Sequence, residues 1–178
     1  EALIAAGTDA QKAKWLPKLA DGSAIGAVAL SEGTGVPGAK SSISISGGKA
    51  NGAKVPVQDA AAADFIIFSG ADGLYLVETG AAGVSVDAVE TIDLVRRSSR
   101  VTLKDAPVEA LEGGRAALEK FLQSSAVLLA FEGLGGADAA MEMALGYARE
   151  RVAFGRKIAG YQAVKHRLAD MYIKNQLA

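Results

Sequence analysis

Apolar positions along this chain change period twice, and the changes mark its organisation. Residues 9–19 place Ala10, Ala13, Leu16 and Leu19 near helical spacing, with Thr8 in position to cap the start, so a short helix is expected that Pro17 and Gly22 bring to an end. From Ala24 to about Asp105 the pattern becomes short β-type runs: Ala27–Leu30, Ser42–Ser46, Phe65–Ser69, Leu74–Glu78 and Arg100–Leu103. Gly47-Gly48, Asn51-Gly52 and Asp72-Gly73 punctuate them as turns. After Gly113-Gly114 the residues 115–150 are rich in Ala and Leu at helical period, and a further helix is expected from Gln162 to the end, with Val164, Leu168 and Met171 on one face. Gly133, Gly135 and Gly136 each weaken the first of these helices by about 1 kcal/mol relative to Ala, which close approach by a neighbouring helix would explain. The pattern predicts an α+β fold: an antiparallel β-sheet or barrel followed by long α-helices of a helical bundle.

Half of the 178 residues are apolar, enough for a substantial core. Nineteen basic side chains against twenty acidic, with no long run of either sign, argue against nucleic acid or a charged membrane surface as partner. Cysteine is absent, which removes disulfides, thiolate metal sites and cysteine nucleophiles together. No segment approaches the roughly 18 unbroken apolar residues of a membrane span, and no signal-peptide pattern opens the chain, so a cytoplasmic location is expected.

Gly33-Thr-Gly35-Val-Pro-Gly38 matches a dinucleotide-binding fingerprint, but that motif works only where a helix begins and aims its N–H groups at a pyrophosphate. Pro37 and the alternating Ser42–Ser46 predict loop and strand instead. Gly133-Leu-Gly135-Gly-Ala-Asp138 lies within a helical pattern and is rejected too. His166, the single histidine, has no Cys or paired carboxylates at ligand spacing, so no metal site is expected. Glu132 and Glu142 read as solvated helix faces, and Trp15 as buried where the first helix meets its neighbour.

Arg151 can offer a planar fork of donors to a pyrophosphate, Phe154 can pack against an aromatic ring, and Gln162 supplies an amide donor and acceptor. The same residues also fit a turn between helices, with Arg151 in a surface ion pair, Phe154 in the core and Gln162 as a polar cap. The run Arg151-Val-Ala-Phe154-Gly155, through Ile158-Ala-Gly-Tyr-Gln162, into Ala163-Val-Lys-His-Arg-Leu-Ala-Asp-Met171 resembles the signature of the acyl-CoA dehydrogenases. A second segment, Gly7-Thr-Asp-Ala-Gln11-Lys12-Ala-Lys-Trp15-Leu16-Pro17-Lys-Leu19 followed by Ala29-Leu30-Ser31-Glu32, resembles the same family in the same order.

The resemblance implies the end of an amino-terminal helical region over 1–23, a middle β-domain over 24–112 and the first helices of the carboxy-terminal domain over 113–178, as though both ends were cut. It implies an FAD-dependent oxidoreductase of fatty acid metabolism that takes an acyl-CoA substrate and works as a homo- or hetero-oligomer. In the family, the residues matching Arg151, Phe154 and Gln162 reach across a dimer to the neighbour's FAD, while backbone at Leu30 and Ser31 lies where a flavin edge would be met. The loop that usually reads Glu-Pro-x-x-Gly-Ser-Asp is here Glu32-Gly33-Thr34-Gly35-Val36-Pro37-Gly38. The later Lys-x-Trp-Ile-Thr segment is here Lys54-Val55-Pro56-Val57-Gln58. Pro56 lacks the Trp's aromatic contact, and Pro37 has neither hydroxyl nor backbone N–H. No catalytic residue is expected in this stretch: the family's Glu base lies beyond Ala178 or at the position of Ser125, followed by Ala126, and a lone hydroxyl cannot abstract the α-proton near neutral pH. Two readings follow, a dehydrogenase stretch inactive by itself, or a non-catalytic subunit that completes the FAD site of an unlike chain.

Overall fold

The computed structural model describes every residue except Ala39, Lys40 and Leu94. The elements, in order, are α1 (Ala2–Ala6), α2 (Asp9–Asp21), β1 (Gly26–Ala29), β2 (Ser44–Ser46), β3 (Lys49–Gln58), β4 (Phe65–Ser69), β5 (Leu74–Glu78), β6 (Val84–Val89), β7 (Ser98–Pro107), β8 (Glu109–Ala110), α3 (Gly114–Glu150), β9 (Val152–Ala153), β10 (Arg156–Lys157) and α4 (Gln162–Leu177). Two compact units divide the chain, Glu1–Ser124 and Ser125–Ala178.

The first unit is built on two four-stranded sheets, β1-β4-β5-β8 and β2-β3-β7-β6. Pairing is antiparallel except between β1 and β4, where Gly26 to Ala29 run parallel to Phe65 to Phe68. The parallel pair departs from the antiparallel expectation because β2 and β3 intervene in sequence, long enough for the chain to return to the same end. Strand β4 explains the unbroken apolar run Phe65-Ile-Ile-Phe68. Ile66 and Phe68 join the core shared with Val57, Val101 and Leu103 of the second sheet. Phe65 and Ile67 point the other way, to Leu3, Trp15, Leu118 and Phe121 of the helices. A strand covered on both faces shows no polar alternation.

Helix α2 starts as its sequence predicts. Thr8 Oγ1 accepts from Gln11 N and Gln11 Oε1 accepts from Thr8 N, a reciprocal cap. Pro17, however, does not end the helix, which continues to Asp21 and stops at Gly22 in the left-handed conformation, φ 77°. Pro17 removes one main-chain bond, while Trp15 beside it is buried and packs in a tilted arrangement on Phe65, 4.4 Å between ring centroids. Trp15 thus packs against a strand as well as against α1 residues.

Among the expected turns, Gly47-Gly48 joins β2 to β3 with φ of 57° and 73°, but Asn51-Gly52 does not punctuate a turn. It lies inside β3 at a register shift, where Gly52 adopts φ 139°. The Asn51 amide donates to Asp105 Oδ1 and its carbonyl accepts from Asp105 N, both at 2.9 Å. That shift, and a second between Lys54 and Val57 that accommodates Pro56, hid this ten-residue strand from its sequence pattern. The half-exposed edge strand β6 was missed as well.

In the second unit, the later turns of α3 lead through a short hairpin to α4, and Asn175 Nδ2 donates to Asp138 Oδ1 at 2.8 Å. Beyond the adjoining residues and the backbone of their own helix, no described atom comes within 4 Å of a Cβ built on Gly133, Gly135 or Gly136, so the close neighbouring helix expected there is not among the described residues. Gly135→Ala is therefore expected to raise stability by up to about 1 kcal/mol through helix propensity alone. A fall in Tm instead would reveal a second chain packed on that face.

Candidate functional site

The expected site residues fall into two groups, one in each unit. The first lies in the loop that follows β1. No helix begins at Gly33-Thr-Gly35-Val-Pro-Gly38: Glu32 forms an isolated parallel bridge with Val55, and bends follow, as the rejection of the fingerprint requires. Leu30, Ser31, Glu32, Gly33, Thr34, Val36 and Pro37 line an open hollow of about 340 Å³. The Leu30 and Ser31 carbonyls accept from Gly38 N at 3.2 Å and Val55 N at 2.9 Å, and Gly33 N donates to Val55 O at 2.7 Å. The loop is laced to β3 by main chain, and Pro56 and Gln58 are exposed on that strand.

Beneath the loop lies a contact that the sequence reading did not anticipate. Lys54 is fully buried, and its Nζ donates to Glu32 Oε1 at 2.5 Å, Ser69 Oγ at 2.9 Å and Ser41 Oγ at 3.3 Å. Glu32 also accepts from Ser41 Oγ, Ser42 N and Ser42 Oγ at 2.6–2.7 Å. Burial would raise the Glu32 carboxyl, but the hydrogen bonds from Lys54, Ser42 and Ser41 outweigh it and hold the group at about 2. Burial pushes the Lys54 ammonium down, and Glu32 offsets this only in part. The downward shift favours the charged form of Glu32 but the neutral form of Lys54. Four donors converging on one carboxylate, and three oxygens on one nitrogen, fit the ionised form. The sequence carried no signal for it, because β3 is broken in pattern, and only within the folded strand does Lys54 take a buried position where a lysine needs a partner.

The second group sits on the α3–α4 connection. Phe154 and Gly155, with φ of 50° and 78°, form the tip of the β9–β10 hairpin. Its stem closes by Ile158 N donating to Arg151 O at 2.8 Å, by the Tyr161 hydroxyl donating to Ala153 O at 2.9 Å, and by the Arg156 guanidinium lying 3.9 Å above the Tyr161 ring. Phe154 is 99% exposed, which excludes a core role. Arg151 and Gln162 are exposed too, the latter as the first residue of α4. A positive φ on a phenylalanine costs about 1 kcal/mol or more. Ser125 is half-buried within α3, Ala126 and His166 are exposed, and no cluster able to hold a metal ion exists among the described residues.

Residues 112–178 match the family model "Acyl-CoA dehydrogenase, C-terminal domain". Nearly the whole chain aligns with an acyl-CoA dehydrogenase of Bacillus subtilis, 31% identical over 195 residues, covering 97% of this chain and 51% of that protein. The short-chain-specific acyl-CoA dehydrogenase of Clostridium acetobutylicum is 34% identical over 188 residues, covering 93% and 49%. The chain belongs to the acyl-CoA dehydrogenase family. It spans about half the length of the relatives it matches. Among solved structures of the acyl-CoA dehydrogenase type, a steroid ACAD whose name joins Tcur3481 and Tcur3483 superposes with TM-score 0.88 at 34% identity, covering 98% of this chain and 50% of that one. A glutaryl-CoA dehydrogenase of Mycobacterium smegmatis in complex with FADH2 superposes with TM-score 0.84 at 26% identity, covering 98% and 49%.

Proposed function

We propose that this chain is part of an FAD-dependent acyl-CoA dehydrogenase that forms the α,β double bond of an acyl-CoA thioester, and that Arg151, Phe154 and Gln162 contact FAD held by a neighbouring subunit. The carrying observation is the hairpin that presents Phe154 to solvent between exposed Arg151 and Gln162. A guanidinium, an aromatic face and a primary amide are the donor set that a pyrophosphate and an adenine ring would use, so the residues present fit this end of FAD. Bound FAD supplies the hydride acceptor for the β-hydrogen. In this reading Arg151 neutralises pyrophosphate charge, Phe154 excludes water beside the adenosine, and the Leu30–Gly33 main chain lies toward the flavin edge. The α-proton needs a carboxylate from outside this stretch, because Ser125 has no partner base among the described residues.

A second reading, a non-catalytic subunit that completes the FAD site of an unlike chain, is supported by the replacements on the flavin side. Pro37, Pro56 and Gln58 are exposed and offer no aromatic cover. The likeness to a steroid ACAD named for two components points the same way. The visible spectrum of the full-length gene product, purified alone and then with any neighbouring dehydrogenase chain, separates the two. Bound flavin in the protein alone supports the ordinary enzyme. Flavin only in the complex supports the partner subunit, and flavin in neither refutes both.

A further inference from the structure

The two segments that depart most from the family pattern, Glu32–Gly38 and Lys54–Gln58, are joined at their first residues. We infer that the buried Lys54–Glu32 pair is a positioning element, which fixes the main chain of residues 31–38 in the form that meets the flavin, so that backbone can act where side chains have changed. This rests on the FAD reading above. Three observations support it. First, the hollow beside the loop is lined by one continuous run, Leu30 to Pro37, in which Gly33, Thr34 and Gly35 carry small side chains or none, so its shape depends on backbone path. Second, the loop is tied to β3 by Gly33 N to Val55 O and Val55 N to Ser31 O, the residue next to Lys54 supplying both partners. Third, Glu32 gathers Ser41, Ser42 and Lys54 while Lys54 also reaches Ser69 of β4, so one buried contact fixes the loop against both sheets of the first unit. A pair serving only core stability would not need to collect loop donors in this way. An apolar pair of like volume stabilises a core equally well in many proteins.

That equivalence provides the test. Glu32→Leu/Lys54→Met replaces the ionic contact by packed apolar side chains. The full-length protein, with its partner chain if flavin requires one, is compared with wild type by Tm, by FAD titration of the apoprotein, and by hydrogen exchange at the Gly33 and Gly38 amides, neither of which bonds Glu32 or Lys54 directly. The expected result is a Tm near that of wild type, with exchange at both amides faster by tenfold or more and FAD bound tenfold or more weakly. Wild-type exchange and affinity in a folded double variant would overturn the inference. Should that variant not fold, Ser41→Ala/Ser42→Ala removes loop donors at the rim of the contact, and is expected to weaken FAD binding several-fold, with no change overturning the inference. A wild-type protein that binds no flavin, alone or with its partner, would instead remove the FAD reading itself, and with it the ligand of this element.

Discussion

Glu32→Gln is expected to lower the stability of the first unit by about 3 kcal/mol or more, the cost of leaving a buried ammonium without its carboxylate. Lys54 is fully buried and would keep only neutral acceptors, the hydroxyls of Ser41 and Ser69 and the Gln amide oxygen, with no counter-charge. With stabilities of about 5–15 kcal/mol typical of domains, the loss should appear as a fall in Tm of about 10 °C. Lys54→Met should cost less, since the Glu32 side chain is 19% exposed and can regain water. Chemical denaturation of both variants checks the order, and equal losses would count against the buried-ammonium account. The same pair predicts acid sensitivity. Glu32 is held at about 2 against an ordinary 4.5, so its contribution is fully present above pH 4.5 and disappears as pH falls toward 2. Lys54→Met should flatten the stability profile in that window, because the largest hydrogen-bond contribution holding Glu32 down is gone.

Arg151→Ala is expected to weaken FAD binding by about 1.5–3 kcal/mol, or roughly 10- to 150-fold, the range for a hydrogen bond to a charged group. Arg151→Lys should restore only part of this, because an ammonium keeps the charge and loses the planar fork. Folding should be unaffected, as the Arg151 side chain is exposed and makes no hydrogen bond or ion pair among the described residues. Fluorescence titration of FAD into the apo complex, with Tm recorded alongside, checks both statements. Unchanged affinity in Arg151→Ala would remove the hairpin from the cofactor site.

Much of this molecule is written locally. Thr8 and Gln11 cap α2 through contacts three residues apart, Phe65–Ser69 and Leu74–Glu78 fall where the apolar runs place them, and the Arg151-to-Met171 segment identifies the family. The features that escaped depend on partners far along the chain. Strand β3 is broken in pattern by Gly52 and Pro56, and is a strand because β7 supplies a ladder that tolerates two register shifts. The sequence alone could not decide between a buried and an exposed Phe154; the positive φ values of Phe154 and Gly155 at the hairpin tip settled it.

The sequence by itself determined the succession of a helical, a β-type and a second helical region, the absence of cysteine chemistry and the family, since periodicity, caps and short motifs are properties of neighbouring residues. Tertiary structure alone decided the parallel β1–β4 pair, the burial of Lys54 and its contact with Glu32, twenty-two residues away. Such contacts exist only after two sheets close around them, and the dielectric and hydrogen-bonding surroundings that set the charge states of the pair are made by that closure.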